Sequence, residues 1–423
     1  MSVRLLFWDC RLLTSVELPA GIKEIGDFAF GNCNNLTNID IPSSVTSIGN
    51  GAFSFCTNLT GIELPLELAQ IGDRAFLNCS SLESIRIPDG ITEIGELVFG
   101  GCNSLTDIEI PSSVIRVGDG AFRYCESLTS IEIPSSVKEI GSGVFYNCSN
   151  LGYNEKEGNL YLDNQENPYY ALIEGDKTAT SISFAPSVKI IGGGAFLRSR
   201  LTDIKVPLGV TGIGKSAFSE CTRLDSIELP SSITDIAENA FSGCRRLKSI
   251  DIPMGVVEIG EGAFSDCSEL ESVKISSTVT KIGDGAFQYC ESLKSIELSS
   301  SITEIGTRTF SGCTSLTSVE IPSKVTKIRG YAFNGCSSLS NIEFPTSLTE
   351  IGDCAFYYCD SLKGVKIPSG MTKIGGAAFS GRSSLENISF AGLIERAKVM
   401  FTADVFHNHG NVIHCTDGDM TVE

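Results

Sequence analysis

This 423-residue chain is poor in positive charge. It carries 32 Lys and Arg against 51 Asp and Glu, a formal net charge of −19. A field of that sign repels phosphate backbones and anionic headgroups. Nucleic acid and membrane surfaces are therefore not expected as partners, and basic or metal-bearing ones are favoured. Histidine is nearly absent: His407, His409 and His414 are the only three, all close to the C-terminus. That removes the commonest general base from almost the whole chain. No apolar run approaches the ~20 residues of a membrane span. At the N-terminus, Asp9 and Arg11 cut the apolar stretch too short for a signal-peptide core. No nucleophile elbow, P-loop or dinucleotide fingerprint occurs. No catalytic residue and no cofactor is expected.

What the chain has in excess is periodicity. Phe30, Phe53, Phe76, Phe99, Phe122 and Phe145 stand 23 residues apart, and Phe7 opens the series. It resumes at Phe196 and Phe218 and keeps the same step through Phe241, Phe264, Phe287, Phe310, Phe333, Phe356 and Phe379. A fixed period of about 20–29 residues with Leu and Ile at fixed offsets marks a leucine-rich repeat solenoid. In one unit the pattern reads Phe30, Cys33, Leu36, Ile39, Ile41, Pro42, Val45, Ile48, Gly49 and Ala52. Ile39 and Ile41 alternate with Asp40, as in a short strand with one buried face. Pro42 stops pairing, Ser43-Ser44 supply turn chemistry, and Val45–Ile48 is a second extended segment. Gly49 is expected to supply a positive φ. Ala52–Cys56 reads as one turn of helix or 3-10 helix. The fold class is thus a repeat solenoid, a curved or rod-like array of short β-strands with turns and 3-10 segments. Stacked coils bury apolar faces that one coil cannot bury alone.

The array breaks once. From Phe145 to Phe196 is 51 residues, and Phe196 to Phe218 is 22. Ile182 and Phe184 retake the strand positions, so the extra residues lie within 152–181. There Asn159–Leu162 and Pro168–Ile173 read as two strands across a polar turn, a hairpin-like protrusion on the solenoid flank. The string Ile191-Gly192-Gly193-Gly194-Ala195 is only the Ile-Gly-x-x-Ala of the repeat. After Phe379 the pattern fades. Ala391–Phe401 has helical periodicity, and Val412–Val422 reads as a hairpin with an Asp-Gly turn. The organisation expected is a solenoid over 5–390 and a C-terminal cap over 391–423. Because the chain starts inside a repeat, truncation is the preferred reading of the N-terminus. The alternative is a cap improvised by Leu5, Leu6 and Trp8.

There are sixteen cysteines, and all but Cys354 and Cys415 stand three residues after a repeat Phe. None forms a C-x2-C pair, which leaves no zinc spacing. Thiols pointing the same way along a column suit disulfides badly. They are expected to pack in the core and donate to neighbouring backbone carbonyls. Ser199 and Arg382 take the same position beside the irregular coil and the cap. His407, His409, His414, Cys415 and Asp417 have metal-ligand chemistry but no standard spacing, so solvated cap residues are expected and no metal site.

The outward strand position ten residues after each Phe carries Glu17, Asp40, Glu63, Glu109, Glu132, Glu228, Asp251, Glu297, Glu320 and Glu343, interrupted by Arg86, Lys205, Lys274 and Lys366. On a leucine-rich strand these face the concave side, an extended binding surface. The competing account is that Glu keeps a sheet soluble. Near-identical successive units favour a repetitive partner or avidity over one sculpted pocket. The inserted segment offers a second candidate in Tyr161, Tyr169 and Tyr170, beside Tyr153. Aromatics are rare elsewhere outside the Phe column, and Tyr favours interfaces. The alternative is that these rings pack the hairpin onto the solenoid.

The unit Ile-Pro-Ser-Ser-Val-Thr-x-Ile-Gly-x-x-Ala-Phe-x-x-Cys-x-x-Leu-x-x-Ile, legible at 41–62 and 110–131, resembles the BspA-like leucine-rich repeat family. The segments Tyr161–Tyr169 and His414–Gly418 look like accessory elements of bacterial members. The resemblance implies a non-enzymatic, extracellular or cell-surface protein that adheres to matrix proteins, other cells or polymeric glycans. A carbohydrate-binding module and a structural spacer are the alternatives. The family has no catalytic or ligand-contacting residues to carry over.

Overall fold

Residues 23 positions apart lie side by side. Ser272 pairs with Ser295, Val273 with Ile296 and Lys274 with Glu297, all in parallel. A computed structural model describes residues 2–3, 6–381, 385–393, 395, 405 and 412–421. Its contacts divide the chain into two units: Met1–Asp176 with Ala185–Ala195 and Thr211–Lys215, and Lys177–Phe184 with Phe196–Val210 and Ser216–Glu423. Each is a β-solenoid of stacked coils.

Each coil has two extended sides. The first shows the alternation read from the sequence: Ile296 is buried between exposed Ser295 and Glu297. Such three-residue strands recur through the second unit, from Asp203–Lys205 to Asn341–Glu343. In the first unit, strand pairing on this side is confined, among the described residues, to Gly61–Ile62 with Ser84–Ile85 and a bridge from Ser84 to Asp107. The second side is paired in both units, as Glu24–Ile25 with Ser47–Ile48 and Glu258–Ile259 with Lys281–Ile282. Pro42 closes the turn between the two sides by accepting the Val45 N–H at 3.0 Å.

The third side carries the Phe and departs from the expected helical turn. Ala52, Ser54 and Cys56 N–H groups bond within the coil, to Gly49, Gly51 and Phe53 carbonyls. The intervening Gly51, Phe53 and Phe55 N–H groups donate instead to Asp73, Ala75 and Leu77 of the next coil, at 2.8, 2.8 and 2.7 Å. Residues two before and two after the Phe adopt positive φ, 57° at Gly51 and 61° at Phe55. Left-handed residues at both flanks break a helix, and they turn every second donor along the stack. Rings stack face to face in register. Centroids are 5.2 Å apart for Phe7–Phe30 and 5.5 Å for Phe264–Phe287, with planes within 7° and 5°.

Gly49 is not at a positive φ, contrary to the expectation. It is needed for close approach: an added Cβ would lie 2.5 Å from Asp27 N and 2.7 Å from Gly26 C. The same crowding holds at Gly283, 2.4 Å from Glu261 N. Asp27 also takes part in a side-chain ladder. Its Oδ1 accepts the Asn50 N–H at 2.8 Å, Asn50 Oδ1 accepts that of Asp73 at 2.9 Å, and Asp73 Oδ1 accepts that of Glu96 at 2.8 Å.

The cysteines behave as anticipated. All are free thiols. Cys56 Sγ donates to the Phe30 carbonyl at 3.2 Å, and Cys290 Sγ to Phe264 at 3.2 Å. The same carbonyl of Phe30 also accepts Cys33 N–H, so each thiol satisfies the second lone pair of a buried acceptor.

The long coil is more integrated than a protrusion. Asn154–Lys156, Asn159–Asn164 and Asn167–Glu174 form an antiparallel meander. Ala171 and Leu172 then pair in parallel with Ile190 and Ile191, which pair with Gly212 and Ile213. Its apolar residues extend the unit's core: Leu162, Ala171 and Leu172 are buried. At the C-terminal end, Val412–Cys415 and Gly418–Thr421 form the hairpin, with Ile413 beside Ile388. Its two-residue turn is Thr416-Asp417, and Gly418 pairs with Cys415. Val405 accepts the Phe379 N–H at 3.1 Å, satisfying a donor that points out of the last coil. Arg382, His407, His409 and most of the helical reading over 391–401 lie outside the described residues.

Truncating Phe287, stacked on both sides, to Ala should cost about 3–5 kcal/mol, read as a lower urea midpoint. Burial pushes the Cys79, Cys267 and Cys313 thiols up to about 12. A raised folded value means the neutral thiol stabilises the fold fully below the ordinary thiol value of 9.0, and that this stability is lost as pH climbs through about 12. Urea midpoints should fall over that window. At pH 8 a thiol reagent should label half-buried Cys10, Cys354 and Cys415 before the buried column.

Candidate functional site

The two strand faces differ in how they treat charge. On the second face opposite charges follow one another from Glu93 through Arg116 to Glu139 and from Glu258 through Lys281, Glu304, Lys327 and Glu350 to Lys373, while Asp235 lies opposite Glu258. Arg116 bridges Glu93 and Glu139, the latter at 3.1 Å. Glu258 meets Lys281 at 2.6 Å, Glu304 meets Arg329 at 2.8 Å, and Glu350 lies 3.4 Å from both Lys327 and Lys373. Burial acts to raise the Glu350 carboxyl, but the two lysines bring it below the usual carboxylate range.

The first face does not neutralise itself in this way. Glu17, Asp40, Glu63, Glu109 and Glu132 of the first unit are exposed. None pairs with a cation among the described residues. In the second unit Glu228 meets Lys205 at 2.7 Å. Asp251, Lys274 and Glu297 then follow in register, and Glu320 lies directly opposite Glu343. Like charges opposite one another on a sheet are destabilising. Solubility alone does not require that arrangement, since stretches of the second face carry charge in opposite-sign pairs.

The inserted tyrosines are a different matter. Tyr161 is 0% and Tyr170 8% exposed. The Tyr161 hydroxyl accepts the Ala185 N–H at 3.2 Å, and the Tyr170 hydroxyl donates to the Ser135 carbonyl at 3.2 Å. Tyr169 is half-buried and packs edge-on against Tyr161 with centroids 5.4 Å apart. Burying a ring with its hydroxyl satisfied extends the core, which is how Tyr161 and Tyr170 are used, while Tyr169 keeps part of its ring exposed. His414 is exposed with Nδ1 2.8 Å from Asp419 Oδ1, and Cys415 beside it is half-buried. Among the described residues they gather no further ligands.

The model of the BspA type leucine rich repeat region matches residues 4–105, 69–162, 189–317 and 280–409. The chain belongs to the BspA-type leucine-rich repeat family. It is similar to a leucine-rich repeat protein from Bacteroides ovatus, with 32% identity over 79% of this chain and 87% of that one, TM-score 0.38. A leucine rich cell surface protein from Faecalibacterium prausnitzii is 30% identical over 92% of this chain and 90% of its own, TM-score 0.33. A leucine-rich repeat protein from Eubacterium ventriosum is 24% identical over 88% and 83%, TM-score 0.35. No curated protein matches.

This BspA-type array has surface aromatics that the sequence reading passed over. Tyr124, Tyr146, Tyr289, Tyr331, Tyr357 and Tyr358 lie within two residues of a column Phe. Arg123 stacks over the Tyr124 and Tyr146 rings at 5.0 and 4.8 Å, and Arg308 over Tyr331 at 5.0 Å. Their offset from the repeat Phe was the available signal. Several are at positive φ, such as Tyr289 at 59°, and the Tyr289 ring lies where a Cβ on Gly312 would sit, 2.4 Å away. Covering the next coil's glycine accounts for such a ring.

If the acidic face is kept against its own repulsion, Glu320→Lys should stabilise the protein. The expected gain is roughly 0.2–1 kcal/mol, shrinking as salt is added, and is measurable as a rise in Tm.

Proposed function

We propose that this chain is a non-enzymatic repeat scaffold that binds protein partners through its first strand face, and that it acts in adhesion at the cell surface. The observation that carries the reading is the acidic column, left without cations over much of its length while the neighbouring face pairs most of its own. A row of equivalent carboxylates presents the same contact at each coil, which suits a repetitive partner and gains from avidity. It suits a chemical step poorly, since catalysis needs a unique constellation. The likeness to a leucine rich cell surface protein supports an extracellular setting. Matrix proteins and other cells' surfaces are the partners this reading favours. No helix among the described residues is long and apolar enough to cross a membrane. The glycan reading based on the inserted tyrosines has less support, because two of the three rings are buried.

The test is binding of the full chain to immobilised matrix proteins and to host-cell extracts, with a Glu297→Lys, Glu320→Lys, Glu343→Lys protein as comparison. The expected result is saturable binding that weakens with salt and falls about tenfold or more in the variant. Absence of saturable binding, or binding that the three substitutions leave untouched, would sink the proposal.

A further inference from the structure

The long coil places a wall over one stretch of the acidic face. Its tip is a two-residue turn, Gln165-Glu166, between paired Asn164 and Asn167. Asn164 Oδ1 accepts the Glu166 and Asn167 N–H groups at 3.1 and 2.8 Å. The tip is tied to the coil that carries Glu132, because Ile133 N–H donates to the Asp163 carbonyl at 3.0 Å. Buried Tyr170 anchors its second strand to the Ser135 carbonyl. The wall is therefore preorganised, which lowers the entropic cost of binding.

Between the tip and the strands lies a hollow of about 640 Å³. That is within the range of about 300–1,000 Å³ typical of ligand sites. Asp89, Asp107, Glu109, Glu132, Asp163 and Glu166 line it, and no Lys, Arg or His does. Here the acidic column and the inserted segment meet. The carboxylates are strung along the groove rather than gathered round a point. Among the described residues no three acidic, His or Cys side chains group as a metal site would. A single cation matches that spread poorly. An extended chain with several positive charges matches it well. The groove also has apolar lining from Pro111 and Pro134 and the edges of Ile108 and Ile131. Aliphatic stems of Lys and Arg lie on such surface while their heads reach carboxylates.

We propose that this groove seats a basic, Lys- or Arg-rich peptide segment of a protein partner. The proposal rests on the reading of the first strand face as a binding surface, and it names the place where that surface becomes selective. The groove adds to the open column a wall that fixes the direction of an extended peptide.

The experiment is fluorescence anisotropy of the full chain with a labelled short peptide of alternating Lys and Ser, and with its Glu-Ser counterpart. One variant carries Glu109→Gln, Glu132→Gln and Asp163→Asn; a second carries Glu297→Gln, Glu320→Gln and Glu343→Gln. These isosteric changes, at exposed positions save for half-buried Asp163, remove charge without removing volume, and circular dichroism checks the fold. The expected result is saturable binding of the Lys peptide, weakened about tenfold or more in the groove variant and less than about twofold in the other. No binding of the Lys peptide, equal binding of the Glu peptide, or equal weakening in both variants overturns the groove. Equal weakening leaves the strand-face reading standing. Conversely, groove-dependent peptide binding without any matrix-protein binding supports the groove and removes the adhesion role.

Discussion

Within each unit the regular coils depend on their neighbours through the Phe turn. Alternate N–H groups there leave their own coil and bond the next one, and the Phe ring lies flat on the ring beyond. The Phe carbonyl accepts twice, from the Cys N–H of its own coil and the Cys thiol of the next. No coil can satisfy these groups alone, which is the physical content of a solenoid. Replacing Phe with a branched residue would lose the stack, and replacing Cys with a larger one would overfill a buried column. This constraint fixes a period of 23 residues and holds the strand sides in register.

With the interior so tightly prescribed, individuality moves to the outward positions. The two strand faces differ in how much of their charge they neutralise. One alternates sign and pairs itself over two stretches, Glu93 to Glu139 and Glu258 to Lys373. The other accumulates carboxylates, even directly opposite one another at Glu320 and Glu343. Stability would be served by the first habit on both faces. The second is intelligible as a surface held ready for a partner that supplies the missing positive charge.

The inserted segment joins the two themes. Its apolar residues, Leu162, Ala171 and Leu172, continue the core, and Tyr161 and Tyr170 are consumed in fixing it. Its polar tip is thereby set against the acidic face, where Asp163 and Glu166 add to Glu109 and Glu132. Of the two readings the sequence allowed for this segment, binding rings or rings that pack it onto the solenoid, the burial of Tyr161 and Tyr170 agrees with packing. Rings that are buried to position a loop are not the rings that meet a ligand.

Repeat, fold class, thiol column and the exposed acidic column were legible in the sequence, because each recurs at a fixed offset and each follows from burial or its absence at one position. The local reading failed where the deciding partner lies in another coil. Gly49 is a glycine because Asp27 and Gly26 of the coil before it approach within 2.5–2.7 Å of its missing Cβ, and no local rule of turn chemistry reports that. The Ala52–Cys56 turn is not helical because its donors are drawn to the next coil. The burial of Tyr161 and Tyr170, the pairing of one charged face and the walling of the other are likewise contacts between residues far apart in the chain. The sequence by itself determined what repeats, since periodicity is a property of the chain. Tertiary structure decided which repeated groups face one another, and so which charges are paired within the fold and which stay open to solvent.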